Sequence, residues 1–127
     1  MVFYCSCGER IVDQTDFLDY KAYYYKDIDS EDYMDQLVKK IESLMVATED
    51  GNISEWITDN FSSKYPKDID RTSLIYDLIT SVQIQYENCV YQCTNCGNVY
   101  FEKNDSKVME SFKSESDVVY KLFGSNS

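Results

Sequence analysis

Two pairs of cysteines, each followed at once by glycine, carry the clearest chemistry in this chain. Cys5-Ser6-Cys7-Gly8 lies near the start and Cys93-Thr94-Asn95-Cys96-Gly97 lies in the last third. Four thiolates drawn from two such turns complete a tetrahedral structural zinc site. The chain has no histidine, so the ligand set is all cysteine or takes in a carboxylate. Gly8 and Gly97 suit the turn that follows each pair, because a backbone with positive φ costs glycine little. Cys93 and Cys96 have the usual two-residue spacing, whereas Cys5 and Cys7 are separated by one residue. The expected ligands are therefore Cys5, Cys7, Cys93 and Cys96, around a structural Zn²⁺. Four thiolates also hold iron, so spacing alone leaves the metal open.

Two other readings compete for these residues. Cys93-Thr94-Asn95-Cys96 matches the spacing of a redox pair, but such pairs sit at a helix N-terminus. Val99-Tyr100-Phe101 follows here and favours a strand. A disulfide framework suits small secreted domains. The cysteine count is five, and Met1-Val2-Phe3-Tyr4-Cys5-Ser6-Cys7 has neither the basic nor the apolar region of a secretory signal. Reduced thiols and a cytoplasmic location are the expectation. In a strand, Cys89 lies about 13 Å from Cys93, which places it beyond the same metal and marks it as a small buried hydrophobe.

The elements that must position the cysteines follow from patterning. Tyr91-Gln92 and Asn98 to Glu102 read as strands around the second knuckle. Arg10 to Asp13 and the aromatic run Tyr20 to Lys26 read as strands after the first. Between them the period changes to 3.6. Asp29 or Ser30 starts a helix with apolar residues at Met34, Leu37, Val38, Ile41, Leu44 and Met45, read as a core stripe. Ile53, Trp56, Ile57 and Phe61 mark a second helix, with the only tryptophan as a core anchor. Asp70 or Thr72 starts a third, with Leu74, Ile75, Leu78, Ile79 and Val82 as its apolar face. Asn104-Asp105-Ser106 reads as a turn, Val108 to Phe112 as a strand, and residues 116–123 as a terminal helix. The predicted fold is α+β in a single domain over 1–127. A small antiparallel zinc-ribbon-like sheet from 1–26 and 89–113 carries a helical insertion of about three helices over 30–87.

Composition limits the function. The chain has 127 residues and a formal net charge of −11, from 23 acids and 12 bases. Four thiolates on Zn²⁺ make this about −13. Such a field repels nucleic acid and steers cationic partners inward. The charge is uneven: residues 9–35 hold Glu9, Asp13, Asp16, Asp19, Asp27, Asp29, Glu31, Asp32 and Asp35 against three bases. Tyr23, Tyr24 and Tyr25 with Asp27, Asp29, Glu31, Asp32 and Asp35 form the candidate partner surface, acids to steer and tyrosines to anchor. No apolar run reaches the length of a membrane span.

Cys5, Cys7, Gly8, Tyr91, Cys93, Cys96 and Gly97 resemble the motifs of a loose group of small bacterial zinc-ribbon proteins. That resemblance covers the two ends of the chain and implies a metal-stapled sheet. Size and acidity also resemble bacterial immunity proteins, a likeness carried by no motif. Together they imply a non-enzymatic protein that covers a basic protein partner, such as a toxin nuclease domain. The alternative is a zinc-ribbon regulator or DNA-mimic-like factor that binds transcription or translation machinery. For an enzyme, a histidine base and a phosphate loop are both missing from the sequence.

Overall fold

A computed structural model describes residues 1–103 and 108–124. The fold class is α+β. Six strands and three α-helices occur among the described residues, in two antiparallel sheets. The chain divides into two compact units, Met1–Tyr25 with the chain from Glu87 onward, and Lys26–Tyr86.

The first unit holds all the strands. Strands β1 (Val2–Tyr4) and β2 (Arg10–Val12) form a hairpin with Phe3 opposite Ile11. This hairpin is a two-stranded sheet of its own. Strands β3 (Lys21–Tyr24), β4 (Asn88–Gln92), β5 (Val99–Glu102) and β6 (Met109–Phe112) make a second sheet in the order β3-β4-β5-β6. The tyrosine run therefore pairs with β4, with Tyr23 opposite Cys89, and not back onto β2. The expected turn at Asn104-Asp105-Ser106 lies outside the described residues.

Alternation along β4 aims Tyr91 at a core of Cys5, Ile11, Tyr91, Cys93 and Tyr100. Phe3 packs edge-on against Tyr91 and Tyr100, with ring centroids 5.4 and 5.3 Å apart. Asp13 links the hairpin to the larger sheet. Its carboxylate accepts from Lys21 Nζ at 2.6 Å and from the Tyr91 hydroxyl. Gln92 N–H donates to the Tyr20 carbonyl at 2.8 Å, extending the β3–β4 ladder by one residue.

The terminal helix expected over 116–123 does not form. Residues 115–118 make bends, and the segment runs on irregularly to Gly124. The buried Gln92 side chain takes the backbone groups that a helix would use. Its Nε2 donates to the Tyr120 carbonyl at 2.7 Å, and its Oε1 accepts from Leu122 N–H at 3.0 Å. The segment and Val99, Phe101 and Phe112 line an open apolar pocket of about 390 Å³.

The second unit is helical. A 3-10 turn at Asp27–Asp29 leads into α1 (Ser30–Glu49), followed by α2 (Ile53–Asn60) and α3 (Arg71–Tyr86). Asp70 caps α3, accepting from Ser73 N–H at 3.1 Å and from the Ser73 hydroxyl at 2.7 Å. Gly51, with φ 73°, turns the chain after α1, and Asn52 N–H reaches back to the Ala47 carbonyl at 2.8 Å. The core is Ala47, Trp56, Ile57, Leu74 and Leu78, ringed by Leu44, Ile53, Phe61, Tyr65, Ile69 and Ile79. Trp56 is an anchor of this core, and its indole donates to Ser43 Oγ at 2.9 Å.

The apolar stripe read along α1 divides in two. Leu37 and Leu44 are half-buried, but Met34, Val38, Ile41 and Met45 are exposed. α1 buries Tyr33 and Ala47 instead. α2 and α3 cover only part of its circumference, and the apolar arc is wider than the covered one.

Candidate metal centre

The two knuckles converge. One sulfur from each of Cys5, Cys7, Cys93 and Cys96 lies within 4.8 Å of all the others. The Cys5 and Cys96 sulfurs are 3.4 Å apart, and those of Cys7 and Cys93 are 3.6 Å apart. Zn–S bonds of about 2.3 Å in a tetrahedron separate the sulfurs by about 3.8 Å. The four cysteines are thus positioned to hold one metal ion. All five cysteines are free thiols, and the close pairs join one knuckle to the other.

Local backbone chemistry builds each knuckle. In the first, Cys5 N–H donates to Glu9 O and Gly8 N–H donates to Cys5 O, both at 2.9 Å. In the second, Cys93 N–H donates to Asn98 O at 2.8 Å and Gly97 N–H to Cys93 O at 3.0 Å. Gly8 and Gly97 have φ of 96° and 83°, the left-handed conformation expected after each pair. A side chain at Gly97 would also meet Val119 Cγ1 at 3.2 Å.

A ring of donors surrounds the sulfurs. Asn95 Nδ2 lies 3.5 Å from Cys7 Sγ, and Asn98 Nδ2 lies 3.8 Å from Cys5 Sγ. Ser6 N–H donates to the Tyr100 hydroxyl at 3.1 Å. Burial raises the Cys5 thiol, but the Cys7 N–H and the Tyr100 hydroxyl outweigh it and bring Cys5 down to about 6. The Asn95 amide lowers Cys7. Burial pushes Cys93 up, and burial with the neighbouring sulfurs pushes Cys96 up to about 12. The surroundings thus pull Cys5 and Cys7 toward the thiolate and Cys93 and Cys96 toward the protonated thiol, and a bound cation would favour the thiolate at all four.

Sequence reading finds the four cysteines but misses these donors. Asn95 inside the second knuckle and Asn98 just beyond it were the available signal, since short amides reach backbone and sulfur from such turns. Cys89 stays outside the cluster, half-buried beside Tyr91, and its thiol is raised by burial.

The candidate partner residues fall on different elements. Tyr23 and Tyr25 are exposed, and the Lys21 ammonium lies 4.8 Å from the centre of the Tyr23 ring. Strand alternation turns Tyr24 to the other face, where its hydroxyl donates to Glu102 O at 2.9 Å and its ring meets Phe101 edge-on. Asp27, Glu31, Asp32 and Asp35 are exposed. Asp29 is half-exposed, with its carboxylate 3.8 Å from Lys26 Nζ.

A family model described as Domain of unknown function (DUF8617) matches residues 1–122. The chain belongs to this family. The DUF8617 match spans both knuckles and everything between them. No curated protein and no solved structure matches the chain. No helix among the described residues is long and apolar enough to cross a membrane.

Proposed function

We propose that this DUF8617 chain is a non-enzymatic binding protein, stapled by structural Zn²⁺ and directed at a cationic protein partner. The convergence of Cys5, Cys7, Cys93 and Cys96 carries the reading. Four protein sulfurs around one ion leave no position for a substrate, which is the arrangement of a structural site and not of a catalytic one. Zinc fits better than a redox metal because a structural role needs a fixed charge and no electron chemistry. The net charge of −11 supplies the other half: it disfavours nucleic acid and speeds encounter with basic surfaces. In its narrower form, the chain is a cytoplasmic bacterial immunity protein and the partner is a toxin such as a nuclease.

Elemental mass spectrometry of the purified protein tests the first half. One zinc per chain, lost in Cys93→Ser, is expected; iron or no metal sinks it. Titration against a toxin encoded beside the gene tests the second. Stoichiometric loss of toxin activity that weakens with salt is expected, and full toxin activity in excess protein removes the immunity reading.

A further inference from the structure

The exposed stripe of α1 has the spacing of a helix-docking seam. Met34, Val38, Ile41 and Met45 follow one another at intervals of four, three and four residues. This is the repeat by which one helix presents apolar side chains to another. All four are exposed, at 60%, 53%, 40% and 59%. A soluble surface seldom leaves so regular a row uncovered, and scattered single exposures do not produce it.

The two borders of the seam differ in chemistry. On one side Asp35, Glu42 and Glu49 recur every seven residues and are all exposed, making a straight acidic row beside the apolar one. On the other side Leu37 and Leu44, also seven apart, are half-buried and continue the apolar surface toward the core. Lys40 borders the leucines with its ammonium on Asn60 Oδ1 at 2.6 Å, and Lys39 is exposed beyond the acidic row, so the three acids outnumber the lysine on either flank.

These borders select the occupant. A second copy of α1 in the antiparallel sense would set one acidic row against the other. In the parallel sense it would set three carboxylates against the leucine border, where Lys40 is the one cation. An anionic lipid surface is repelled by the same row. A helix with an apolar stripe and lysines or arginines along its flank satisfies both the seam and the acids. We infer that the Met34–Val38–Ile41–Met45 face of α1 docks a basic amphipathic helix of the partner. This inference rests on the cationic-partner reading and deepens it by naming the surface and the partner's secondary structure.

The test uses the zinc-loaded full chain and two synthetic helical peptides. Both carry leucine at the seam positions; one is flanked by lysines and the other by glutamates. Binding is followed by fluorescence anisotropy at two salt concentrations. The lysine peptide should bind, more weakly at high salt, and the glutamate peptide should bind at least tenfold more weakly. Val38→Ser with Ile41→Ser should weaken the lysine peptide at least tenfold while leaving the circular dichroism unchanged. Asp35→Lys with Glu42→Lys should reverse the preference between the two peptides.

Equal binding of the lysine peptide to the chain and to the seam variant overturns the docking face but leaves the cationic-partner reading standing. Binding of neither peptide also overturns it, and the toxin titration then judges that reading by itself. Self-association lost in the seam variant assigns the face to a second copy and overturns the basic helix.

Discussion

Asp13 carries two roles at one carboxylate. It pairs with Lys21 Nζ at 2.6 Å and accepts from the Tyr91 hydroxyl, with only 17% of its side chain exposed. Burial raises its pKa, but these two donors outweigh burial and hold it below its ordinary value of 3.8. A carboxylate depressed on folding stabilises the fold above its unfolded pKa and stops doing so as pH falls through the folded one. Asp13→Asn should therefore cost about 1–3 kcal/mol near pH 7. Urea titrations of both proteins should show that gap closing below about pH 4, the ordinary carboxylate range. A gap that stays constant as pH falls from about 4 to the acid limit of the folded protein would mean the side chain acts by shape and not by charge. At the same scale, zinc should shield four thiols. Mild alkylation should reach Cys89 at most, and chelation should make all five cysteines reactive; labelling of five before chelation would rule out the staple. The cysteines and glycines were legible because their spacing is local. Asp13 was not, because its partners Lys21 and Tyr91 are set by which strands pair.

Gln92 shows why elements are harder to read than knuckles. The apolar run Val118-Val119-Tyr120 with Leu122 and Phe123 suggests a short helix. A helix there would need the Tyr120 carbonyl and the Leu122 N–H for its own bonds, and one buried glutamine holds both. Gln92→Leu fills similar volume and removes both bonds. It should cost about 1–3 kcal/mol. Hydrogen exchange at residues 119–123 should rise, while β4 stays protected. Unchanged exchange would show that Val99, Phe101 and Phe112 hold the segment without the latch. The helices of the second unit were legible because their period repeats over several turns, and Asp70 marked a start by its capping chemistry. What periodicity could not say is which part of a wide apolar arc meets a neighbour. The six-residue stripe of α1 was read whole as core, and the packing of α2 and α3 leaves Met34, Val38, Ile41 and Met45 outside.

Taken whole, the chain joins its ends through four sulfurs and keeps a separate core in its middle. The link from Cys7 to Cys93 spans 86 residues. Closing so long a loop in the unfolded chain costs on the order of 4 kcal/mol, which a pre-formed cross-link removes. Every ligand and its supporting donors lie in the first unit, however, and the second has its own core of Ala47, Trp56, Ile57, Leu74 and Leu78. The single tryptophan reports on one unit alone. Trp56 is the only tryptophan and is buried in the helical unit with Tyr33, while Tyr91 and Tyr100 are buried in the unit that holds the cysteine cluster. Chelation of the metal should therefore reduce the near-ultraviolet dichroism by the share of Tyr91 and Tyr100, while leaving tryptophan emission and far-ultraviolet helicity nearly unchanged. Thermal unfolding should then separate into an early sheet transition and a later helical one. If Trp56 emission shifts to the red together with metal loss, the helical unit depends on the staple, and its three helices are too small a core to stand without it.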